Sequence, residues 1–313
     1  MRLGCFAHQF IAGGMALEQL LLACQQAGVT ELELGVANRT GTPGMLAADL
    51  LRSPHEADAL REQVEAAGLR IGALNCFGNP LHPRAAEAEA DRQGVEDAIR
   101  LAHALGVRTV VTASGCPGDV NWPIWITWPL YWEELAESQW DAAVERWKPL
   151  AALAADAGVD ICLELHPGQL VYNTSTLLRL REAAGPALKA NLDPAHLFYQ
   201  GMDPLRVAAA LGEALGHVHA KDTLIDPDKV AVDGVIDTSS LASLDRAWRY
   251  VAVGDGRPIE WWRQFLDSLR ASRYAGMISI EHEDAALTGP EALERNVRGL
   301  QAAGIGEAGS WTS

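Results

Sequence analysis

The stretch Leu215–Asp222, which reads LGHVHAKD, alternates like a β-strand but carries polar side chains on one of its faces. Alternate side chains of a strand point to the same side, so His217, His219 and Lys221 project together. A strand in the core of a folded protein normally turns an apolar face inward. Two imidazoles and an ammonium on that face therefore indicate a polar cavity at the carboxyl end of the strand.

Three other predicted strands end in a carboxylate at the last inward position. These strands are Ile161–Glu164, Lys189–Asp193 and Met277–Glu281. The three carboxylates and the imidazole of the first stretch would form one ring, which consists of Glu164, Asp193, His219 and Glu281. Parity places smaller side chains one layer beneath the carboxylates, namely Cys162, Asn191 and Ser279. The ring is the candidate functional site.

Such a ring predicts a bound metal ion, because like charges a few ångströms apart are strongly unfavourable unless a cation holds them. Three carboxylates, one imidazole and the remaining open positions suit a divalent ion that prefers oxygen ligands. We therefore expect one ion, with Mn²⁺ first and Mg²⁺ next. Zn²⁺ usually takes more nitrogen or sulfur, but it is left open, as is Co²⁺.

One sequence pattern recurs along the chain: a segment with the periodicity of a helix, then Ala-Gly or Leu-Gly, then a short strand rich in β-branched residues. It occupies residues 25–35, 65–75, 103–113 and 156–166. The glycine suits a helix that ends in a left-handed residue. Eight predicted strands, each followed by a helix, match a (β/α)8 TIM barrel, an α/β fold whose strand ends converge on one site. The competing open sheet would bring a glycine-rich nucleotide turn after the first strand, and AHQFIAGGM is no such fingerprint.

Composition bounds the class of protein. The net charge of −16 opposes a nucleic-acid or anionic-membrane surface, because such interfaces need a basic patch. No run approaches the roughly 18 apolar residues of a membrane helix. The five cysteines show no CxxC spacing, so a reduced, cytoplasmic protein is expected. No linker or composition shift divides the chain, and residues 1–313 are expected to form a single TIM-barrel domain.

Two long connections, residues 114–132 and 223–257, are expected to lie over the barrel mouth, since long loops in a compact domain are usually functional. The first is rich in tryptophan and the second carries two arginines near its end. We expect Arg246 or Arg249, with Trp128 or a neighbour, to close over a small-molecule substrate. The alternative is that the indoles bury a subunit interface, which would make the protein a homo-oligomer.

Other polar residues beyond the predicted strands are candidates for substrate contact. His166 and His196 lie just past two of the strands, where they reach either substrate or a ligand of the ring. Lys221 pairs either with Asp222 or with a carboxylate of the ring, and its charge would suit an enolate oxygen.

Three further positions leave alternatives open. His217 lies one layer deeper than His219 and is expected in the core or behind a ligand. Glu283 shares the parity of Glu281, although Glu281 is preferred as the ligand because it directly ends its strand. The glycines of VGDGRP (253–258) would cradle a phosphate if the substrate carried one, but such a loop is also ordinary turn chemistry. A non-phosphorylated sugar is preferred.

Six motifs lie at or beyond the ends of predicted strands: GNPLHP (78–83), SGCPG (114–118), ELHPG (164–168), NLDPAH (191–196), HVHAKD (217–222) and SIEHED (279–284). Together they resemble the xylose-isomerase-like TIM-barrel superfamily of sugar isomerases and epimerases. The resemblance implies one divalent metal, usually Mn²⁺, bound by Glu164, Asp193, His219 and Glu281. It also implies that the two glutamates are acid/base catalysts and that His196 touches substrate.

The expected activity is that of a metal-dependent isomerase or epimerase that removes a proton next to a carbonyl of a sugar or keto-sugar. The chain departs from the ketose epimerases at two positions, where Leu170 replaces a glutamate and Ile225 replaces an arginine. The alternative is a dehydratase or lyase that eliminates a β-substituent from a 3-keto sugar, keto-glycoside or inosose. A non-catalytic sugar-binding protein is less favoured, and the charge and the single nitrogen ligand disfavour a nuclease.

Overall fold

The computed structural model describes residues 1–118 and 133–306, and eight parallel strands in it close into a barrel. The eight barrel strands are β1 (Arg2–Phe6), β2 (Glu31–Gly35), β3 (Arg70–Asn75), β4 (Thr109–Thr112), β5 (Asp160–Glu164), β6 (Leu188–Leu192), β7 (Leu215–Ala220) and β10 (Met277–Ile280). Two further strands, β8 (Asp222–Ile225) and β9 (Trp248–Val251), form a separate sheet. The barrel runs in chain order from β1 to β7, and β10 closes it against β1. The predicted TIM-barrel fold is confirmed.

Helices lie between and after the strands, and the longer ones pack around the outside of the barrel. The helices are α1 (Ala7–Ala12), α2 (Leu17–Ala27), α3 (Ala47–Arg52), α4 (Pro54–Ala66), α5 (Ala85–Leu105), α6 (Glu133–Ala157), α7 (Thr174–Ala184), α8 (Ala195–Phe198), α9 (Pro204–Leu211), α10 (Pro227–Asp233), α11 (Ile259–Ala271) and α12 (Gly289–Ala302). The sequence pattern misses α1, α3, α8 and α10, because helices of so few turns are too short to show a period. Among the described residues, no helix has both the length and the apolar character needed to cross a membrane.

The glycines of the recurring sequence pattern lie at the carboxyl ends of the helices, as the sequence predicts. Gly28 and Gly106 follow α2 and α5 with φ of 79° and 70°, in the left-handed region. In each case the backbone N–H of the glycine bonds back to the last helical turn. A side chain would be strained at this φ, so glycine allows the chain to leave the helix directly into the next strand.

The amino-terminal half of the barrel interior is filled by apolar side chains. Ala73, Val111, Cys162 and Met277 pack together there. Gly4 makes room for the methionine, since a Cβ on Gly4 would lie only 2.2 Å from its sulfur. The polar ring lies above this plug, at the carboxyl ends of the strands, which is where TIM-barrel active sites are built.

The second long connection forms a structured unit, the β8–β9 excursion, which we define as residues 222–257. β8 and β9 pair in antiparallel fashion, and α10 lies between them in the chain. The ring of Trp248 stacks on that of Tyr199, with centroids 4.0 Å apart, and this anchors the excursion to the segment after β6. In the other long connection, residues 119–132 lie outside the described residues. Trp128, which was expected to close over substrate, is one of them.

Asp222 fixes the end of the excursion to its beginning. Its Oδ2 accepts hydrogen bonds from the backbone N–H groups of Gly254 (3.1 Å), Gly256 (3.2 Å) and Arg257 (2.9 Å), and from the indole of Trp262 (2.9 Å). The loop that the sequence leaves open as a phosphate cradle is therefore occupied by a carboxylate of the same chain. Asp222 is fully buried by these contacts.

Removal of this carboxylate is expected to destabilise the fold. Asp222→Ala should lower the free energy of unfolding by about 3 kcal/mol, because several buried donors lose a charged acceptor. Urea unfolding followed by circular dichroism measures the change. Asp233→Ala, which removes an exposed carboxylate of the same excursion, is the control and should change stability by less than about 0.5 kcal/mol. Equal stability of the two variants would contradict the role of Asp222.

Candidate metal and catalytic site

The four ring residues meet at the carboxyl end of the barrel. Glu164 ends β5, His219 lies in β7, and Asp193 and Glu281 come directly after β6 and β10. One donor atom from each of the four lies within 4.8 Å of the others. All four side chains are buried. Strand parity and barrel closure together bring these residues to one point, although they are spread over more than a hundred positions of the chain.

The donor set of the ring fits one divalent cation. The Nδ1 atom of His219 lies 3.2 Å from Glu281 Oε2 and 3.6 Å from Glu164 Oε2, so the imidazole turns a nitrogen toward the carboxylates. Three buried carboxylates face one another, and the ammonium of Lys221 supplies one positive charge among them. Such a site favours binding of a cation that accepts both oxygen and nitrogen ligands. These donor atoms do not select one particular metal.

The pKa values of the two glutamates are driven in opposite directions. Burial, and then the charge of Glu281, raise the pKa of Glu164. Burial opposes ionisation of Glu281 as well, but the charges of Lys221 and His219 outweigh it and hold the pKa of Glu281 well below its usual range. Burial raises the pKa of Asp193 to about 7, and the two glutamate charges contribute to this rise. The proton affinities of the two glutamates therefore differ in the direction that a proton donor and a proton acceptor require.

Lys221 lies inside the acidic cluster and is only 2% exposed. Its Nζ is 2.7 Å from Glu281 Oε2, 2.6 Å from Glu283 Oε2 and 3.0 Å from Asp193 Oδ2. Strand parity turns Asp222 to the opposite side, so Lys221 pairs with the ring carboxylates and not with its neighbour. Glu283 is bonded to Lys221 but is about one-third exposed, while Glu281 belongs to the ring.

The two histidines expected to contact substrate form a pair beside Glu164. The Nε2 of His196 is 2.7 Å from Glu164 Oε1, and its Nδ1 is 3.0 Å from the hydroxyl of Tyr250. The ring of His166 lies 4.2 Å from that of His196, between centroids. Burial and the charge of His196 lower the pKa of His166 to about 4. His166 is therefore uncharged at neutral pH and can serve as a hydrogen-bonding group there.

Arg246 is buried within the β8–β9 excursion. Its guanidinium donates to the backbone carbonyls of Ser239, Asp237 and Trp248 and lies 4.8 Å from the centre of the Trp248 ring. These contacts hold the excursion together. Contact between Arg246 and substrate stays a prediction. Tyr250 of the excursion lies nearer the site, where it contacts His196 and Lys221 beside the four residues of the ring.

Two residues at the site, Glu33 and Gln9, were not identified from the sequence. Glu33 is fully buried in β2 and accepts hydrogen bonds from His217 and His219 one layer beneath the ring. The strand that holds it reads ELELG, and two acidic residues on one face of a barrel strand are an unusual pattern that would have marked it. Gln9 lies in α1, directly after β1, and no strand pattern extends to a helix this short.

Gln9 joins the ring to a cavity at the barrel mouth. Its Nε2 donates to Glu281 Oε1 at 3.1 Å, while its buried Oε1 has no hydrogen-bond partner among the described residues. The cavity has a volume of about 220 Å³ and is lined by residues at and beyond the carboxyl ends of β1, β2 and β3, among them His8 and Asn75. Space of this size beside a free carbonyl oxygen suits the hydroxyl groups of a small polar molecule.

Comparison with known sequences identifies the chain's relatives. A sequence model described as xylose isomerase-like TIM barrel matches residues 21–303. The chain is 36% identical over 299 residues to the uncharacterized protein YfiH of Bacillus subtilis strain 168, with 92% of this chain and 95% of that protein covered. It is 25% identical over 246 residues to the inosose dehydratase of Geobacillus thermodenitrificans strain NG80-2, with 76% and 77% covered.

Solved structures with the same barrel include several enzymes. A probable 3-DHS dehydratase, AsbF of Bacillus anthracis, superposes with a TM-score of 0.71 at 17% identity over 96% of this chain and 99% of that one. The protein IolI with a bound zinc atom gives 0.69 at 18% identity over 97% and 98%. D-psicose 3-epimerase of Clostridium cellulolyticum H10, with D-tagatose, gives 0.62 at 17% identity over 97% and 96%. At these identities the likeness shows the fold alone.

Proposed function

The chain belongs to the xylose isomerase-like TIM-barrel family, and we propose that it is a divalent-metal-dependent isomerase or epimerase acting on a sugar or keto-sugar. The observation that carries the proposal is the geometry of the ring: Glu164, Asp193, His219 and Glu281 are buried, and one donor atom of each lies within 4.8 Å of the others. The opposite directions in which the pKa values of Glu164 and Glu281 are shifted support it. Two carboxylates of different proton affinity at one site are what removal and return of a proton require.

In the proposed reaction Glu281 removes a proton from the carbon next to the substrate carbonyl. A bound divalent ion would stabilise the negative charge that develops on the carbonyl oxygen. The ammonium of Lys221, 2.7 Å from Glu281, keeps the base ionised and faces the same region. In epimerisation Glu164, which is in contact with His196 Nε2, returns a proton to the opposite face of the same carbon. In isomerisation it protonates the former carbonyl carbon, while the proton of the adjacent hydroxyl group moves to the former carbonyl oxygen.

A second candidate is elimination of a β-substituent, as in a dehydratase. It is supported by the relationship to inosose dehydratases and by the two positions at which the chain departs from the ketose epimerases. Leu170 is fully buried among apolar residues, and Ile225 pairs with Trp248 at the end of β8, so neither offers a polar group to a sugar. In this reaction Glu164 would protonate the leaving hydroxyl group.

Solvent-deuterium exchange tests the shared first step and separates the two outcomes. The full-length protein with Mn²⁺ should exchange hydrogen at the carbon next to the carbonyl in one member of a panel of keto sugars and inososes. Nuclear magnetic resonance then distinguishes an isomer of equal mass from a product that has lost water. Absence of exchange in every member of the panel, with metal bound, would contradict the proposed function.

The metal site is expected to bind one ion per chain with an affinity that depends on pH. Because the pKa of Asp193 is about 7, the ring holds a proton at lower pH that the cation must displace. Affinity for Mn²⁺ should therefore rise between about pH 5 and pH 8, with proton release on binding. Calorimetry in two buffers of different ionisation enthalpy measures both. A metal analysis that finds none after reconstitution would contradict the site.

A further inference from the structure

Glu33 is the common acceptor of a polar layer that lies directly beneath the ring. Its carboxylate accepts hydrogen bonds from Asn75 Nδ2 at 2.7 Å and from His217 Nε2 at 2.9 Å, and both of its oxygens lie 3.1 Å from His219 Nε2. The side chains come from three different strands, and Glu33 is fully buried among them. The ring itself contributes one member to this layer, His219.

These contacts determine which nitrogen of His219 carries hydrogen. An ionised carboxylate only accepts hydrogen bonds, so an imidazole nitrogen that bonds to it must be the one that donates. The Nε2 atom of His219 is therefore the donor to Glu33. Its Nδ1 faces the ring, where Glu281 Oε2 and Glu164 Oε2 lie 3.2 Å and 3.6 Å away and the amide nitrogen of Asn191 lies 3.2 Å away. Because Glu33 holds the hydrogen on Nε2, Nδ1 is the nitrogen that would give its lone pair to a cation bound between the carboxylates, in place of the contacts it makes without one.

We propose that Glu33 is a positioning residue of the metal centre: it holds His219 by Nε2 and so presents Nδ1 as the nitrogen ligand. The inference rests on the metal site of the proposed function, and it adds a residue that touches neither the metal nor the substrate. His217 supports the same arrangement, because its hydrogen bond to Glu33 fixes the carboxylate from the layer below. Partners of this kind orient a ligating imidazole and make it a stronger donor.

The first test compares two glutamine variants on one strand. Glu33→Gln keeps the shape but replaces one oxygen by an amide that donates, so it can bond to Nε2 of the other tautomer and leave Nδ1 protonated. The dissociation constant of Mn²⁺, measured by calorimetry, should rise about 10- to 100-fold. Glu31→Gln is the matched control, since Glu31 lies on the same face of β2 at the opposite end of the barrel, paired with Arg2 and Arg70.

The second test needs no variant and remains informative if Glu33→Gln fails to fold. The wild-type protein labelled with ¹⁵N in histidine is loaded with ¹¹³Cd²⁺, and the coupling between the metal and the imidazole nitrogens is recorded. Coupling to Nδ1 of one histidine, with Nε2 still carrying hydrogen, is the expected result. Coupling to Nε2 would overturn the proposal.

An affinity for Mn²⁺ that changes less than twofold in folded Glu33→Gln would also overturn it, as would an equal loss of affinity in Glu31→Gln. Because both tests measure binding without a substrate, their failure is distinct from failure of the proposed function. A protein with the expected metal binding but no proton exchange in any sugar would contradict the activity and leave the role of Glu33 standing. A protein that catalyses exchange but whose metal affinity does not depend on Glu33 would support the activity and contradict the role of Glu33.

Discussion

Glu281→Gln is expected to lower turnover at saturating Mn²⁺ by about a hundred- to ten-thousand-fold, because it removes the proposed base. Glutamine keeps the size and one oxygen ligand, but it cannot accept the proton. Metal affinity should fall only moderately. Deuterium exchange at the carbon next to the carbonyl should fall in parallel with turnover, since both depend on the same proton transfer. The comparison is made at saturating metal, so that lost occupancy is not read as lost chemistry.

Glu283→Gln is the matched control for this variant. Glu283 also contacts Lys221, but its side chain is about one-third exposed and lies outside the ring. Its replacement should lower turnover less than tenfold. If Glu281→Gln exchanged deuterium at the normal rate, Glu281 would only hold the metal. The base would then have to be sought at Glu164, His166 or His196.

Lys221→Met is the second variant with a large expected effect. The ammonium counters the charge of three carboxylates and is the strongest single influence that holds the pKa of Glu281 low against burial. Without it the pKa of Glu281 rises, so the base is protonated over a wider range of pH. The acidic limb of kcat/KM against pH should therefore move to higher pH, and turnover at neutral pH should fall about a hundred- to a thousand-fold.

Lys189→Met controls for the loss of a partly buried lysine from a barrel strand. Lys189 lies near the opposite end of the barrel, where its Nζ is 2.8 Å from Asp160. Its replacement should leave the pH profile in place. Partial recovery of Lys221→Met at high pH would support the electrostatic account. An unchanged acidic limb would show that Lys221 acts in another way, for example by contact with substrate alone.

The secondary structure was largely accessible from the sequence. The predicted strands Ile161–Glu164, Lys189–Asp193 and Met277–Glu281 agree with β5, β6 and β10 to within one residue at each end. The periods of strands and helices are local properties, and glycine marks the helix ends by its own backbone preference. The β8–β9 hairpin was not predicted, since its two strands are separated by more than twenty residues and their pairing has no local signal.

The four ring residues were also identified from the sequence, because side-chain parity along a strand depends only on counting by two. Once the strands are parallel and their carboxyl ends meet, a carboxylate at each end must face the same space. Histidine and carboxylate types then indicate a metal site. The hypothesis thus needed strand positions and a closed barrel, but no knowledge of which strands lie opposite one another.

Contacts across the barrel were decided by the tertiary structure alone. Glu33 and His217 are 184 positions apart, and only closure and stagger of the strands bring them within 2.9 Å. The same holds for Lys221, which contacts the carboxylates of the ring and not the adjacent Asp222. It also holds for Asp222, which accepts hydrogen bonds from the glycine loop after β9. Sequence determines which face a side chain occupies, because that follows from the local backbone. Which partner it meets on that face depends on the register of distant strands, which no local pattern encodes.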